Sequence, residues 1–311
     1  RPRPRPTRGR STPVGPVVRC SLASRRVRPL RGSTQLKAER LGGARRHPAV
    51  AEEADEYSRS VAGVDIEAVR VGRGIGPNVV LGVPGKDVTL TSSRVGFPMT
   101  VHAQFASTTI LAAHVKSNPN ESRWCGITPQ PGSVIVYPPG SEHVAINQPG
   151  LQFTFAITEL DRLMAVAEQI GVHVDLPSRP CLLEIPRSGA AEALGLGLDR
   201  LSSGAMHGGA PPRFTDDVLH AFAGVLAGDP PVAAHLPGRG IDSRSIVRSC
   251  LDYVHSIDRI PSVTELCGAA NVSERRLRSA FRDQLDQSPT VYFRRWALGE
   301  ANRRLRADGA Q

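Results

Sequence analysis

The feature that most constrains the fold is a pair of helix-start signals near the C-terminal end of the chain. Ser262-Val263-Thr264-Glu265 is a capping box, in which the serine and glutamate side chains satisfy each other's backbone N–H groups. Ser273 is a second N-cap candidate, and Asn271 before it tolerates the positive φ of a tight turn. The sequence therefore predicts two short helices joined by a turn over Ser262–Arg282.

The second of these helices has two chemically different sides. Leu277 and Phe281 are four residues apart and are predicted to be buried. The acids Glu274 and Asp283 stand near the helix ends, and the other sides carry Arg275, Arg276, Arg278, Ser279 and Arg282. A solvated helix in an ordinary bundle is expected to mix both signs of charge. A nearly all-arginine surface is suited to a DNA major groove, because guanidinium groups bind guanine edges and neutralise phosphates.

Two further helices flank this pair. Ser243 is predicted to start a helix through about His255, whose inward residues are Ile246, Val247, Cys250, Leu251 and Val254. Ser288 and Pro289 read as the cap and first position of a last helix, which is predicted to run to about Arg306. On that helix the apolar residues Leu298, Ala301 and Leu305 are aligned.

These segments resemble the AraC/XylS family of transcription regulators over about Ser245–Arg306. The resemblance is carried by Ser262–Cys267, Asn271–Arg278, Ala280-Phe281-Arg282, Ser288-Pro289, Tyr292 and Arg294-Arg295. It implies base reading by Arg275, Arg278 and Ser279, although Ser279 is shorter than the side chains often found there. It also implies phosphate contacts by Arg276, Arg282, Arg294 and Arg295. The family has a second helix-turn-helix unit that this sequence lacks before Gln311, so weaker and less specific DNA binding is expected.

The positive charge of the chain is unevenly distributed. The formal net charge of +10 divides into +13 for residues 1–50, −6 for residues 51–244 and +3 for residues 245–311. Residues 1–58 are predicted to be a disordered basic tail, since arginine and proline dominate it and large apolar residues are few. Two interpretations stay open: a start that is not native, because position 1 is not Met, or a basic arm that touches phosphates.

Residues 59–157 are predicted to form a β-barrel that senses a small molecule. Short runs rich in Val, Ile, Thr and Phe indicate strands at Asn78–Val83, Val88–Thr91, Thr108–Val115, Ser133–Tyr137 and Gln152–Ile157. Within this region Gly132, Pro138, Gly140, His143 and Asn147 match the second motif of the cupin barrels. His143 would then project toward the barrel interior, and it is the candidate residue of a ligand pocket.

A metal-dependent cupin enzyme is the alternative for this barrel. Such enzymes use two histidines and a carboxylate from a first motif, and no H-x-H followed by a suitably spaced Glu precedes His143. A structural or ligand-bonding His143 in a metal-free barrel is therefore preferred, and no cofactor is predicted. The five cysteines are widely spaced without a C-x-x-C pair, which is typical of reduced thiols in a cytoplasmic protein.

Helices are predicted to dominate after the barrel. Thr158 is predicted to cap a helix over Glu159–Ile170 with Gly171 as its stop, and the apolar stripe of this helix is Leu160, Leu163, Met164 and Ala167. Two more helices are predicted at about Ala190–Leu201 and Asp216–Ala227. The segment 158–228 could mediate dimerisation or pack against the barrel. Residues 229–242 are predicted to be a linker, and residues 243–311 the helix-turn-helix domain with its linker helix.

The sequence as a whole predicts an α+β protein with a cupin-like β-barrel, flanking helices and then an all-α helix-turn-helix domain. The expected function is ligand-responsive, sequence-specific DNA binding in transcription regulation, with activation as the commoner family outcome. Expected partners are promoter DNA, an unidentified small-molecule effector, RNA polymerase by resemblance, and a second copy of the chain in a homodimer. No apolar run approaches the length of a membrane span. A truncated relative that only dimerises is a third alternative.

Overall fold

A computed structural model describes residues 48–176, 182–206, 212–228, 233–235, 243–257 and 259–308. The strands are β1 (Ala49–Ala51), β2 (Ile66–Arg70), β3 (Asn78–Val83), β4 (Thr89–Arg94), β5 (Met99–Gln104), β6 (Thr109–Ser117), β7 (Arg123–Trp124), β8 (Val134–Tyr137), β9 (Glu142–Asn147), β10 (Gln152–Glu159), β11 (Leu182–Ile185) and β12 (Ala233–His235). The helices are α1 (Ala54–Ser60), α2 (Leu160–Gln169), α3 (Gly189–Met206), α4 (Pro212–Ala227), α5 (Ser243–His255), α6 (Val263–Ala270), α7 (Glu274–Leu285) and α8 (Pro289–Asp308). None of these helices is long and apolar enough to cross a bilayer.

The described strands form two antiparallel sheets. The large sheet has the order β1-β3-β4-β10-β6-β8-β11-β12, and the small sheet has the order β2-β5-β9-β7. Residues from both sheets, such as Val101 and Ala145 of the small sheet and Leu111 and Phe153 of the large one, share one buried core. The prediction of a single closed barrel is thus replaced by two facing sheets with a core between them, because the described strands leave each sheet with two edges.

The predicted tail 1–58 is wrong for its last eleven residues, 48–58. Strand β1 pairs with β3, and helix α1 buries Ala54 and Tyr57 in the core between the sheets. Glu53 and Glu56 form a capping box at the start of α1. These few apolar residues are ordered because they gain partners from distant strands, which local composition does not reveal. Residues 1–47 lie outside the described residues.

Helices α2, α3 and α4 cover the outer face of the large sheet. Leu163, Leu194 and Phe222, one from each helix, are fully buried with the outward sheet residues Leu90 and Ile110. The described part of 158–228 packs against the sheet, and its role in dimerisation stays a prediction. In the predicted linker 229–242, residues 233–235 form β12 and pair with β11.

Helix α2 differs from prediction in its N-cap residue and in which of its apolar residues are buried. Thr158 Oγ1 donates to the Asp87 carbonyl oxygen at 2.7 Å, and Glu159 occupies the N-cap position. Val166 is buried, whereas Met164 is 38% exposed. Gly171 follows the helix at a φ of +71°, as expected of a glycine stop.

Helices α5 to α8 enclose a third core. All five predicted inward residues of α5 are buried, together with Leu277 and Phe281 of α7 and Tyr292 and Phe293 of α8. The predicted apolar alignment on α8 is not a buried face, because Leu298 and Leu305 are 70% and 72% exposed. The residues that α8 contributes to this core, Tyr292, Phe293 and the partly buried Trp296, lie in its first two turns.

Candidate nucleic-acid interface and ligand cavity

Helix α6 starts with the capping box that the sequence predicts. Ser262 Oγ accepts a hydrogen bond from the Glu265 N–H at 3.2 Å, and the Glu265 carboxylate accepts one from the Ser262 N–H at 2.8 Å. The Arg259 guanidinium also pairs with this carboxylate. Hydrogen bonds from Arg259 and Ser262 lower the pKa of Glu265. The start of α6 is therefore fixed by an ionised carboxylate at the helix N-terminus.

The turn between α6 and α7 contains residues 271–273. Asn271 adopts a left-handed conformation with a φ of 52°, and its N–H bonds to the Cys267 and Gly268 carbonyl oxygens. Ser273 Oγ then accepts a hydrogen bond from the Arg276 N–H at 3.4 Å. Each of these residues has the conformation or cap expected from the sequence, so the direction in which α7 leaves the turn is set locally.

Helix α7 separates apolar from basic residues. Its buried residues are Leu277, Ala280, Phe281 and Leu285. Its exposed residues include Arg275, Arg276, Arg278 and Arg282, which we call the arginine face, together with Ser279. The Phe281 ring packs against Tyr292 and Phe293 at centroid distances of 5.9 and 5.7 Å. The first turns of α8 thus hold the buried side of α7 and leave the arginine face in solvent.

The exposed side chains of α7 differ in what they already bind. Arg278 donates to Glu274 Oε1 from Nε at 2.9 Å and from Nη2 at 2.6 Å, and Ser279 Oγ donates to Asp283 Oδ2 at 3.4 Å. Within the part of the chain that the structure describes, Arg275 and Arg282 form no ion pair. An exposed i, i+4 ion pair contributes less than about 1 kcal/mol, so Arg278 can exchange Glu274 for another acceptor at small cost.

The two predicted phosphate-contacting residues of α8 have different surroundings. Arg294 is exposed, whereas Arg295 is partly buried and donates to Gln287 Oε1 at 2.9 Å. The next residue, Trp296, donates from its indole N–H to Glu67 of β2.

His143 lies where the cupin-like spacing predicts, at a cavity between the two sheets. With its opening to solvent the cavity contains about 440 Å³ of space between protein atoms. It is lined by Tyr57, Val61, Val64, Ile66, Val101, Ala103, Phe105, Leu111, Ala113, Trp124, Tyr137, His143, Asn147, Phe153 and Phe155. Among the described residues, no group of three or more His, Cys, Asp or Glu side chains is placed to hold a metal ion.

The polar groups of the cavity wall are uncharged. Burial, together with the nearby His102, lowers the pKa of His143 to about 3, and burial raises the pKa of Tyr57 to about 12. His143 Nδ1 and the Tyr137 hydroxyl are 2.6 Å apart. Trp124 donates from its indole N–H to Asn147 Oδ1 at 2.9 Å. The wall therefore offers aromatic and aliphatic surface with a few neutral hydrogen-bonding groups.

Most of the cavity wall could not be identified from the sequence. Tyr57 belongs to the predicted tail, and Phe105, Trp124 and Phe153 come from three separate segments. Alternation along a strand tells which residues share a face, but not which sheet that face meets. The turn glycines Gly132 and Gly140 have positive φ values of 87° and 72°. The motif spacing that includes them is the local signal that singled out His143.

Strand β9 lies between the cavity and the helices that carry the arginine face. His143 and Ala145 face the core between the sheets, and Val144 between them is buried with α5 and α7. Glu142, also on the outer face, lies 2.7 Å from His102 Nε2 and 3.7 Å from Arg248 Nη1 of α5. Strand β9 therefore contacts both the cavity and the helices that carry the arginine face.

A second polar contact joins the small sheet to the helices. Glu67 Oε2 lies 3.1 Å from His255 Nε2 of α5, and the Glu67 carboxylate also accepts from Trp296. Burial opposes ionisation of Glu67, but the bonds from His255 and Trp296 outweigh it and lower its pKa. The bond to Glu67 raises the pKa of His255. Both shifts favour an ion pair, and neither residue was singled out from the sequence.

No model of a known protein family matches the chain, and no curated protein matches it. Several solved structures are similar to it. The crystal structure of the AraC-like transcriptional activator CuxR is 14% identical, with a TM-score of 0.40 over 82% of this chain and 94% of that one. The structure of ToxT from Vibrio cholerae O395 bound to (E)-4-(8-methylnaphthalen-1-yl)but-3-enoic acid is 12% identical, with a TM-score of 0.31 over 64% of this chain and 77% of that one. An oxalate decarboxylase is 12% identical, with a TM-score of 0.17 over 34% of this chain and 35% of that one.

Proposed function

We propose that the chain is a sequence-specific DNA-binding transcription regulator that reads a major groove with helix α7. The observation that carries this proposal is the arginine face of α7, which is exposed along a helix whose opposite side is buried and whose start is fixed by the turn at 271–273. An α-helix fits the width of the major groove, and arginine forks recognise guanine. The α6–turn–α7 segment would act as the helix-turn-helix unit.

The side chains would divide between bases and phosphates. By the resemblance to the AraC/XylS family, Arg275, Arg278 and Ser279 are proposed to face base edges from the first half of α7. Arg276, Arg282, Arg294 and Arg295 are proposed to bind phosphates. Arg278 would leave Glu274 for a guanine, and Arg295 would leave Gln287 for a phosphate oxygen.

We further propose that a small molecule in the cavity controls this DNA binding. The support is strand β9, whose His143 lines the cavity while Val144 and Glu142 contact the helices of the DNA-binding region. By the resemblance to the AraC/XylS family, the regulator would activate transcription in the cytoplasm through contact with RNA polymerase, and it could act as a homodimer.

The test is fluorescence anisotropy with a site-selected duplex and a scrambled duplex. Two proteins are compared, the full chain and a chain without residues 1–47, so that binding by the basic N-terminal residues can be separated. We expect the shortened chain to prefer the selected duplex. Arg275→Ala with Arg278→Ala should remove about 1–3 kcal/mol of discrimination per lost base contact. Arg59→Ala with Arg187→Ala, which removes two exposed arginines elsewhere, is the matched control.

A different result would contradict the proposal. If only the full chain binds, equally to both duplexes and with a steep loss in salt, the binding belongs to residues 1–47. If the shortened chain binds but both double variants keep its preference, α7 is not the reading helix.

A further inference from the structure

We infer that the cavity between the sheets binds an uncharged ring compound carrying a hydroxyl or carbonyl group, and that His143, oriented by Tyr137, binds that group. The inference rests on the proposed function, in which the cavity is the effector site. It adds the chemical class of the effector and the two residues that would select it.

The charge of the wall excludes an ionised ligand. Among the described residues that line the cavity there is no Lys, Arg, Asp or Glu. Glu142 and Glu67 of the small sheet lie on its other face and pair with Arg248 and His255. A carboxylate or ammonium group entering the cavity would lose its hydration without meeting an opposite charge, which is costly in an apolar enclosure.

The hydrogen-bonding groups of the wall fit one neutral oxygen. Trp124 and Asn147 bond to each other, and the Tyr57 hydroxyl lies 3.4 Å from Ser93 Oγ. His143 differs, because its Nδ1 faces the Tyr137 hydroxyl while its Nε2 forms no hydrogen bond with any described residue. The ring is neutral, since burial holds its pKa near 3.

A neutral imidazole in this arrangement can form a hydrogen bond with either a carbonyl oxygen or a hydroxyl group. If the Tyr137 hydroxyl donates to Nδ1, then Nε2 carries the proton and donates to a carbonyl or hydroxyl oxygen. If Nδ1–H donates to the hydroxyl instead, Nε2 accepts from a ligand hydroxyl. The pair thus accepts an alcohol, a phenol or a ketone by exchanging tautomers, and no charge has to form.

The aromatic residues of the cavity wall favour a ligand that contains a ring. Six of the 14 aromatic residues of the chain line this one cavity: Tyr57, Phe105, Trp124, Tyr137, Phe153 and Phe155. The Trp124 ring meets Phe153 and His143 nearly edge-on, at centroid distances of 5.1 and 5.6 Å. Aromatic rings favour such edge-to-face contacts, and a flat ligand can extend the set.

The test is isothermal titration calorimetry of the full chain with matched pairs of compounds. The pairs are 4-ethylphenol with 4-ethylbenzoate and 2-naphthol with 2-naphthoate, at about pH 7.5, where the phenols are neutral and the carboxylates ionised. Ethylbenzene and naphthalene lack the oxygen. We expect each phenol to bind at least about tenfold more tightly than its carboxylate and about fivefold more tightly than its hydrocarbon.

Variants assign the selectivity to the two residues. His143→Phe keeps an aromatic ring and removes the hydrogen bond, so the phenols should lose about fivefold in affinity and the hydrocarbons should not. His220→Phe, on the exposed side of α4, is the matched control and should change neither. If His143→Phe does not fold, Tyr137→Phe keeps the ring, removes the hydroxyl and should reduce phenol affinity in the same direction.

Equal or tighter binding of the carboxylates would overturn the inference, as would failure of all four neutral compounds to bind at millimolar concentration. An unchanged phenol affinity in His143→Phe would overturn the role of that residue. DNA anisotropy on the same preparations separates this inference from the proposed function. Carboxylate preference with intact DNA selectivity contradicts only the inference. Phenol preference without DNA selectivity supports the cavity chemistry and contradicts the proposed regulator.

Discussion

The arginine face and the cavity are opposite in how they are built. The arginine face is charged and open, and neighbours in sequence determine it: a capping box, a left-handed asparagine and a serine cap fix α7 within about twenty residues. The cavity is neutral and lies between the two sheets, and its wall comes from segments between Tyr57 and Phe155. A charged helix surface can thus be determined by residues close in sequence, whereas a cavity between two sheets depends on the whole fold.

The largest expected effect is a loss of stability in the helices behind the arginine face, while the sheets around the cavity stay intact. Phe281 is fully buried between α7 and α8, so Phe281→Ala should cost about 3–5 kcal/mol of stability in the third core. Leu298→Ala, on an exposed residue of α8, should cost less than about 0.5 kcal/mol. Urea denaturation measures both, and hydrogen exchange should show the loss in α5–α8 rather than in the sheets. Equal costs for the two variants would contradict this packing.

Salt should affect the two regions very differently. If the four arginines proposed to bind phosphates do so, log affinity should fall against log salt with a slope of about −3.6. DNA binding by the chain without residues 1–47 should then fall about 100-fold between 50 and 200 mM NaCl. Arg282→Ala should reduce the slope by about 1. Binding of 4-ethylphenol should hardly change over the same range, because neither the phenol nor the wall is charged. A steep salt dependence for the phenol would mean that it binds outside the cavity.

The left-handed turn residue provides a smaller, local test. Asn271→Ala forces an alanine into a φ of 52° and should cost about 1 kcal/mol, whereas Asn271→Gly should be nearly neutral. Thermal unfolding and DNA anisotropy measure the pair. We expect both to leave phenol binding unchanged, since the turn does not line the cavity. An alanine variant as stable as the glycine variant would show that the turn is not strained.

The smallest expected effect is on the contact between the small sheet and the helices. The raised pKa of His255 means that its pair with Glu67 stabilises the protein below about pH 6.5 and is lost as pH rises through that raised value. The lowered pKa of Glu67 means that its contribution is lost as pH falls below about 4.5. Asp252 and Glu300 also favour the charged histidine, and His102 favours the charged Glu67.

Raising the pH from 6 to 8.5 should therefore cost wild-type protein on the order of 1 kcal/mol or less at this contact. His255→Gln should flatten that part of the stability profile, measured by urea denaturation across pH. His220→Gln, which changes an exposed histidine of α4, should leave the wild-type profile unchanged. Identical profiles for wild type and His255→Gln would contradict the assigned ion pair.

The same contrast explains what the sequence could predict. Helices α5 to α7 match their predicted bounds closely, since caps and apolar spacing act within a few residues. Three predictions failed because contacts with residues far away in sequence determine the structure there. Tyr57, predicted to lie in a disordered tail, is buried between the sheets, and Thr158 bonds to Asp87 instead of capping α2. Leu298, predicted to lie on an apolar stripe, is exposed outside the third core. His143 could be located from turn glycines, but the two sheets had to meet before Trp124 and Phe153 could join it.

Strand β9 gives the protein a particular vulnerability to changes in length. Successive residues of a strand point to opposite sides, so His143 lines the cavity while Val144 packs against the helices. Inserting one residue ahead of Glu142 would shift both residues by one position, which brings Glu142 to the apolar cavity and turns His143 toward α5 and α7. Substitutions could alter either side almost independently, but a single-codon insertion or deletion there would disable both at once. Natural variants of this strand should therefore differ in residue type and keep its length.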